Sequence, residues 1–249
     1  MTRRAAVSDP VDGASGRRVA IGALWDVGEV IDLSGGLHNG MWRMRDPYRP
    51  VEITEIPLAG NFNIVEYSVY AQEIRMPVQA STYLETAAHM YPEREKMDEL
   101  PLEQLFPSAV VLQIPRGPEE LITADDLEAA LAAVGETVHP GDALLIATGW
   151  DSHWDEPDFM THSPHFRYSA VEWVVEHECG ILGSDAANWS DLSEKPSFFP
   201  MFFQSSTLLL APLVNLTQVP VARVQLVVTP LRIRGACASP CRALALVPR

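Results

Sequence analysis

The sequence predicts a single α/β domain in which short strands form a mixed sheet or a barrel-like core, with helices outside it. Two continuous apolar runs, at 109–114 and 143–147, are typical of buried strands. Alternation of apolar and polar residues at 51–56 predicts a half-buried strand. Between the two apolar runs, residues 124–134 have the pattern and the end signals of a helix. A chain of 249 residues suits one domain or two small ones, and no internal repeat divides it.

The remaining strands are predicted from local composition. The segment 63–70 is rich in β-branched and aromatic residues, which favour strands. The last strands are expected at 224–229 and 243–246, where apolar residues dominate.

Three helices are expected. Thr123 is positioned to cap the helix over 124–134, which ends at a glycine. Ser169 precedes a second helical pattern over 170–177, and a short third helix is expected at 102–106.

Composition excludes several classes of function. The chain is 47% hydrophobic and 20% charged, which indicates a folded core, and its net charge of -15 argues against nucleic-acid partners. No apolar run is long enough to span a membrane. The basic N-terminus is not followed by an apolar segment, so no secretory signal is predicted. Residues 1–25 are interpreted as a flexible tail, and 26–249 as the catalytic domain.

The three cysteines, Cys179, Cys237 and Cys241, do not form a disulfide framework, because their number is odd and their spacing fits none. We expect reduced thiols in a cytoplasmic protein. The G-x-S-x-G, P-loop and G-x-G-x-x-G motifs are all absent.

Residues 79–89, QASTYLETAAH, carry the most informative motif. The stretch resembles H-x-G-T-H-x-D-x-P-x-H, the signature of a cyclase superfamily that includes bacterial kynurenine formamidase and isatin hydrolase. Gln79, Tyr83 and Glu85 stand where that signature has His, His and Asp, whereas Thr82 and His89 match it.

Other stretches extend the resemblance over roughly residues 30–247. They match the family's I-D-L-S and G-M-P block, its V-L-I-x-T-G-W and G-V-x-x-I-G-x-D segments, and its C-terminal L-K-I-K-G-x-x-G-S-P-x-R-A-V-A-L-V pattern. In this chain the matching residues are 31–34 with 40–42, 144–150, 180–185, and 231–235 with 239–247. The resemblance implies a swivelling β/β/α-type fold that assembles as a homodimer or homotetramer.

The metal site of the family is altered at all five expected ligand positions. Besides the three changes in the motif, Phe202 stands where relatives have a His and Ala211 where they have a Glu. Zinc and manganese sites need several His, Cys or carboxylate ligands at one point. Glu85 and His89 alone would hold a metal only weakly, so neither a metal nor another cofactor is expected.

The retained and substituted residues are the candidate catalytic groups. His89 matches the position of the family's catalytic His and suits general acid–base catalysis, with a hydrogen-bonded structural role as the alternative. Glu85 would orient His89 or move a proton itself, unless it is a solvated charge. Tyr83 would donate a hydrogen bond to a developing oxyanion, or fill the volume that the metal vacated.

Three further residues are candidates for substrate binding. Gln79 is positioned to bind a carbonyl group or to plug the former metal site. Trp42 would stack on substrate or pack in the core. Phe202 belongs to an aromatic cluster over 198–203 that either lines the pocket or forms core.

These observations predict a metal-independent enzyme, either a cyclase or a dehydratase. Its expected partner is a small-molecule substrate, and neither nucleic acid nor membrane is expected to bind. Without a metal-activated water, His89 with Glu85 and Tyr83 suits enolisation, dehydration or ring closure. The resemblance points to a polyketide-like or aromatic biosynthetic intermediate as the substrate. The alternatives are a metal-dependent amide hydrolase of the kynurenine formamidase type and a non-catalytic homologue that binds a small molecule.

Overall fold

The computed structural model describes residues 27–56, 70–189 and 196–249. The expected N-terminal tail and almost all of the expected strand at 63–70 lie outside these residues. In the described part, no helix is long and apolar enough to cross a bilayer.

The main sheet of the described residues has eight strands. They are β1 (Val27–Asp32), β4 (Tyr83–Glu85), β5 (Ser108–Gln113), β7 (Ala143–Ala147), β9 (Ile181–Ser184), β10 (Leu208–Ala211), β11 (Arg223–Pro230) and β12 (Ala238–Pro248). Their order is β1-β12-β11-β5-β7-β9-β10-β4, and β4 also pairs with β12. This extra pairing closes seven strands into a mixed barrel, as the sequence predicts, and β1 adds to its edge. Neighbours from β5 to β10 are parallel, and the other pairs are antiparallel.

Two small ladders lie outside the barrel. Strand β2 (Glu52–Glu55) pairs antiparallel with β3 (Gln72–Arg75), and β6 (Leu121–Ile122) pairs parallel with β8 (His165–Phe166). The predicted strand at 51–56 therefore forms, but it belongs to a separate two-stranded sheet, and its residues are mostly exposed and not half-buried.

Successive side chains of the barrel strands point to opposite faces of the sheet, so apolar residues form one core inside the barrel and another between the barrel and the helices. Leu145 of β7 packs with the apolar side chains of the barrel interior, whereas Leu144 and Ile146 pack beneath the helices. Every residue of β7 is buried, which explains why its sequence is a continuous apolar run.

The helices are α1 (Ala124–Val134), α2 (Tyr168–Glu176) and α3 (Phe199–Gln204). As expected, Thr123 caps α1 in a capping box with Asp126. Short 3-10 helices are present at Ala87–His89, Leu102–Leu105, Trp150–His153 and Leu216–Gln218. The predicted cap of α2 is wrong by two residues, because Arg167 occupies the N-cap position and Ser169 lies inside the helix.

Strand β4 carries the motif and closes the barrel. Thr82, just before it, donates a hydrogen bond to the carbonyl of Pro212 at 2.6 Å and accepts one from the amide of Gly35 at 3.0 Å. Thr86, just after it, accepts a hydrogen bond from the amide of Ala88 and caps the 3-10 helix that ends at His89. The two threonines therefore fix both ends of the motif strand.

Candidate active site

A cavity of about 950 Å³ lies outside the barrel, above β4 and β10. Its floor includes Tyr83 and Glu85 of β4, together with Leu209 and Ala211 of β10. The β4–β10 register pairs Tyr83 with Ala211 and Glu85 with Leu209, so these side chains share one face. The walls come from the segment 40–50, the loop 155–161, residues 187–189 and helix α3. Motif residues thus face a cavity large enough for a drug-sized ligand.

Three polar side chains converge at one end of this floor. The Gln79 amide nitrogen donates a hydrogen bond to Glu85 Oε1 at 2.9 Å and lies 3.2 Å from His89 Nδ1. Glu85 Oε1 is 3.0 Å from the same imidazole nitrogen. The side chain of Glu85 is 5% exposed and that of His89 is 36% exposed, so the carboxyl group lies behind an imidazole that solvent and ligand reach.

Burial raises the pKa of one member of this pair and lowers the pKa of the other. Desolvation raises the pKa of Glu85 to about 7, and the hydrogen bond from Gln79 opposes the rise only in part. Desolvation also lowers the pKa of His89 below its ordinary value. Near neutral pH the imidazole is therefore neutral, and the carboxyl group exchanges its proton readily. Such a pair both accepts and donates protons at physiological pH.

Tyr83 is buried beside this pair, and its hydroxyl group has no hydrogen-bond partner among the described residues. Burial raises its pKa well above the ordinary value, and the negative charge of Glu85 adds to the effect. The phenol therefore keeps its proton at neutral pH and offers an unused donor to the cavity.

The aromatic residues divide between the cavity and the core. Trp42 lines the cavity and also packs edge-on against Trp154 in the core, with ring centroids 5.2 Å apart. Phe202 is 1% exposed and packs in the core beneath the helices, so its expected contact with substrate is wrong. Phe199 and Phe203, on the next face of α3, line the cavity instead. The Phe203 ring lies 5.4 Å from that of His89.

The residues present do not fit the metal that the family resemblance implies. Ala211 has no donor atom, Phe202 is in the core, and Gln79 and Tyr83 offer neutral groups in place of imidazoles. Among the described residues, the group with suitable ligand atoms is Glu85, His89 and Cys237. Its imidazole and carboxyl lie 3.0 Å apart. Burial raises the pKa of both the Glu85 carboxyl and the Cys237 thiol, which opposes the deprotonation that a metal requires.

Sequence reasoning missed Cys237, Tyr48 and Arg45. Tyr48 and Arg45 line the cavity, and Tyr48 lies close enough for the charge of Glu85 to raise its pKa. Cys237 lies at a variable position of the C-terminal pattern, and nothing local in the sequence marks it as part of the site.

Asp185, just after β9, is fully buried and accepts hydrogen bonds from the amides of Thr148 and Gly149, so its role is structural. His153, at the end of a 3-10 helix, and His162 lie near the surface, where each pairs with a nearby acidic side chain.

Comparisons with known proteins agree with this architecture. The family model "Putative cyclase" matches residues 31–191. An isatin hydrolase from Roseibium aggregatum is 30% identical over 144 residues, which are 53% of this chain and 54% of that enzyme. The alignment thus spans about half the length of that relative.

Solved structures show the same fold over most of the chain. A crystal structure of an isatin hydrolase bound to the product analogue thioisatinate has a TM-score of 0.77 and 24% identity, over 89% of this chain and 93% of that one. A predicted metal-dependent hydrolase from Bacillus stearothermophilus has a TM-score of 0.70 and 21% identity, over 87% of this chain and 97% of that one.

Proposed function

Because the chain belongs to the cyclase family, we propose that it is a metal-independent member that catalyses proton transfers on a small molecule, as a cyclase or dehydratase. The observation that carries the proposal is the hydrogen-bonded group formed by Gln79, Glu85 and His89 on the cavity floor. By the family resemblance, Gln79 and Glu85 stand at metal-ligand positions and His89 at the position of the catalytic His, and together they suit acid–base chemistry.

His89 acts as the group that takes a proton from the substrate. Its imidazole is neutral at physiological pH, since burial lowers its pKa, and it is the most accessible member of the group. Glu85 then stabilises the imidazolium from 3.0 Å and exchanges a proton with it, because its own pKa of about 7 matches the task. The unpartnered hydroxyl of Tyr83 donates a hydrogen bond to the oxygen on which negative charge develops.

The cavity favours a large aromatic substrate. Trp42, Trp189, Phe199 and Phe203 supply much of its wall, and its volume of about 950 Å³ exceeds what a single small ring requires. We propose a polyketide-like or aromatic biosynthetic intermediate, folded by these walls into a reactive conformation.

A second candidate is an amide hydrolase, favoured by the similarity to isatin hydrolase. That function would use a metal held by a rearranged ligand set, so metal analysis of the purified protein separates the two candidates. A third, non-catalytic binding of a small molecule, predicts that no substrate is converted at all.

The proposal is tested by His89→Ala with substrates found by screening aromatic pathway intermediates. We expect kcat to fall by roughly 10²–10⁴-fold while the fold is retained, as for the loss of one acid–base group. His162→Ala, at an exposed site outside the cavity, is the matched control and should retain the wild-type rate. A folded His89→Ala protein with the wild-type rate would refute the mechanism.

A further inference from the structure

Cys237 lies immediately before β12, next to the acid–base group. The closure of the barrel brings it there: the amide of Thr86 donates a hydrogen bond to the Cys237 carbonyl at 2.8 Å, and Ala238 pairs with Glu85. Its sulfur, an oxygen of Glu85 and a nitrogen of His89 all lie within 4.8 Å of one another. A thiol, an imidazole and a carboxyl group are thus brought together from two distant parts of the chain.

The environment of Cys237 differs from that of the other two thiols. Burial raises the pKa values of Cys179 and Cys241 to about 12, and neither thiol belongs to this group. Cys237 is partly buried, as is Cys241, and its pKa is raised by burial and by the charge of Glu85. A thiol with a raised pKa needs a base to become a nucleophile, and a ring nitrogen of His89 lies within 4.8 Å of the sulfur.

The thiol lies next to residues that line the cavity. Glu85, His89, Tyr83 and Tyr48 all line the cavity, and the two tyrosines lie close enough to Cys237 for their charges to be coupled. An electrophilic carbon bound at the His89 end of the cavity would therefore lie beside the group that contains the thiol.

We propose that Cys237 is a nucleophile, activated by His89 and oriented by Glu85, that attacks the acyl carbon of an ester or lactone bound in the cavity. The proposal rests on the proposed function only in using His89 as the proton acceptor. A sulfur–carbon bond forms while the thiol proton moves to His89. The bond between the carbon and the leaving oxygen then breaks, and that oxygen takes the proton from His89.

The resulting thioester is hydrolysed in a second step that restores the enzyme. His89 removes a proton from water, the water oxygen attacks the acyl carbon, and the carbon–sulfur bond breaks. Cys237 recovers its proton from His89, and the products are an acid and an alcohol. No metal, oxidant or reductant is required.

The first test compares the rates at which iodoacetamide alkylates the three cysteines, measured by peptide mass spectrometry on the intact folded protein at pH 7. We expect Cys237 to react about tenfold or more faster than Cys179 and Cys241, which serve as references within the same molecule. His89→Gln should slow Cys237 by about tenfold and leave the reference thiols unchanged. The matched variant His162→Gln should change nothing.

Several results would overturn the proposal. Cys237 reacting no faster than the reference thiols, or at the same rate in His89→Gln, would remove its activation by His89. A rate that rises after addition of a chelator would show that the thiol is a metal ligand in the purified protein, and would refute the nucleophile.

A second test traps the covalent intermediate with p-nitrophenyl acetate as the probe. We expect one acetyl group on the peptide that contains Cys237, and none on that peptide in Cys237→Ala. Acetylation confined to other residues would overturn the inference. The two proposals fail separately. If His89→Ala abolishes turnover but Cys237 of the wild-type protein is not acetylated, the acid–base function of His89 stands and the nucleophilic role of Cys237 is refuted.

Discussion

Replacing Glu85 by Gln should change how the stability of the protein depends on pH. The carboxyl group is buried, and burial raises its pKa from 4.5 to about 7. A glutamine at this position would keep the shape of the side chain, and its carbonyl oxygen in place of Oε1 would accept the hydrogen bond from Gln79. The variant therefore removes the buried charge while retaining this hydrogen bond.

The sign of the pH dependence of stability follows from the number of protons bound in the folded and unfolded states. Between pH 4.5 and 7 the folded protein retains a proton on Glu85 that the unfolded chain has lost, so stability falls as pH rises. Below pH 4.5 the group imposes no such cost, and above pH 7 the cost is constant. The difference between 4.5 and about 7 corresponds to about 3 kcal/mol, since a tenfold change in affinity is about 1.4 kcal/mol.

Urea unfolding followed by tryptophan fluorescence measures this effect at pH 5 and pH 8. We expect Glu85→Gln to become more stable relative to the wild type by about 2.5 kcal/mol between these two pH values. Other titrating groups, such as Asp185, are common to both proteins and cancel. Glu128→Gln, at an exposed position of α1, is the matched control and should show no such change. Parallel stability–pH curves for Glu85→Gln and the wild type would refute a buried carboxyl group with a raised pKa.

Three further predictions concern metal and the hydroxyl group. Purified protein should contain no stoichiometric zinc or manganese, and its activity should survive a chelator; about one metal per subunit, with loss of activity on chelation, would contradict this. The triple variant Gln79→His, Tyr83→His and Glu85→Asp should still fail to hydrolyse a formamide, because Ala211 leaves the second half of the site without a ligand; detectable formamidase activity would refute the proposed ligand correspondence. Tyr83→Phe should lower kcat by about 10²–10³-fold with no loss of thermal stability, because its buried hydroxyl lacks a partner among the described residues; an unchanged kcat would assign Tyr83 to packing alone.

Elements encoded by local patterns were predictable from the sequence. The strands at 109–114 and 143–147 and the helix at 124–134 form because their apolar residues and end signals agree with their surroundings. The cap of α2 was mispredicted because a tertiary contact decides it. The amide of Arg167 donates a hydrogen bond to the carbonyl of Ile122 at 2.8 Å, continuing the β6–β8 ladder, so the helix begins immediately after that ladder.

The candidate site was predictable only where its residues lie in one motif. Gln79, Glu85 and His89 meet because the motif spans a strand and a single 3-10 turn. Cys237 joins them through the pairing of β4 with β12, which no local pattern encodes. Phe202 was misplaced because helix α3 was not foreseen, and helical spacing directs Phe199 and Phe203 to the cavity while Phe202 faces the core.

The residues at the family's ligand positions are consistent with one another when their charges are considered together. A bound cation would neutralise several acidic ligands, and without it two buried carboxylates side by side would repel each other. The chain retains Glu85 and has Ala211 on the adjacent strand, where relatives have a Glu. Leu209, paired with Glu85 across the same ladder, is buried and helps to exclude water from the carboxyl group. Burial raises the pKa of Glu85 to about 7 without a second carboxylate at position 211, and a carboxyl group with this pKa exchanges protons at neutral pH.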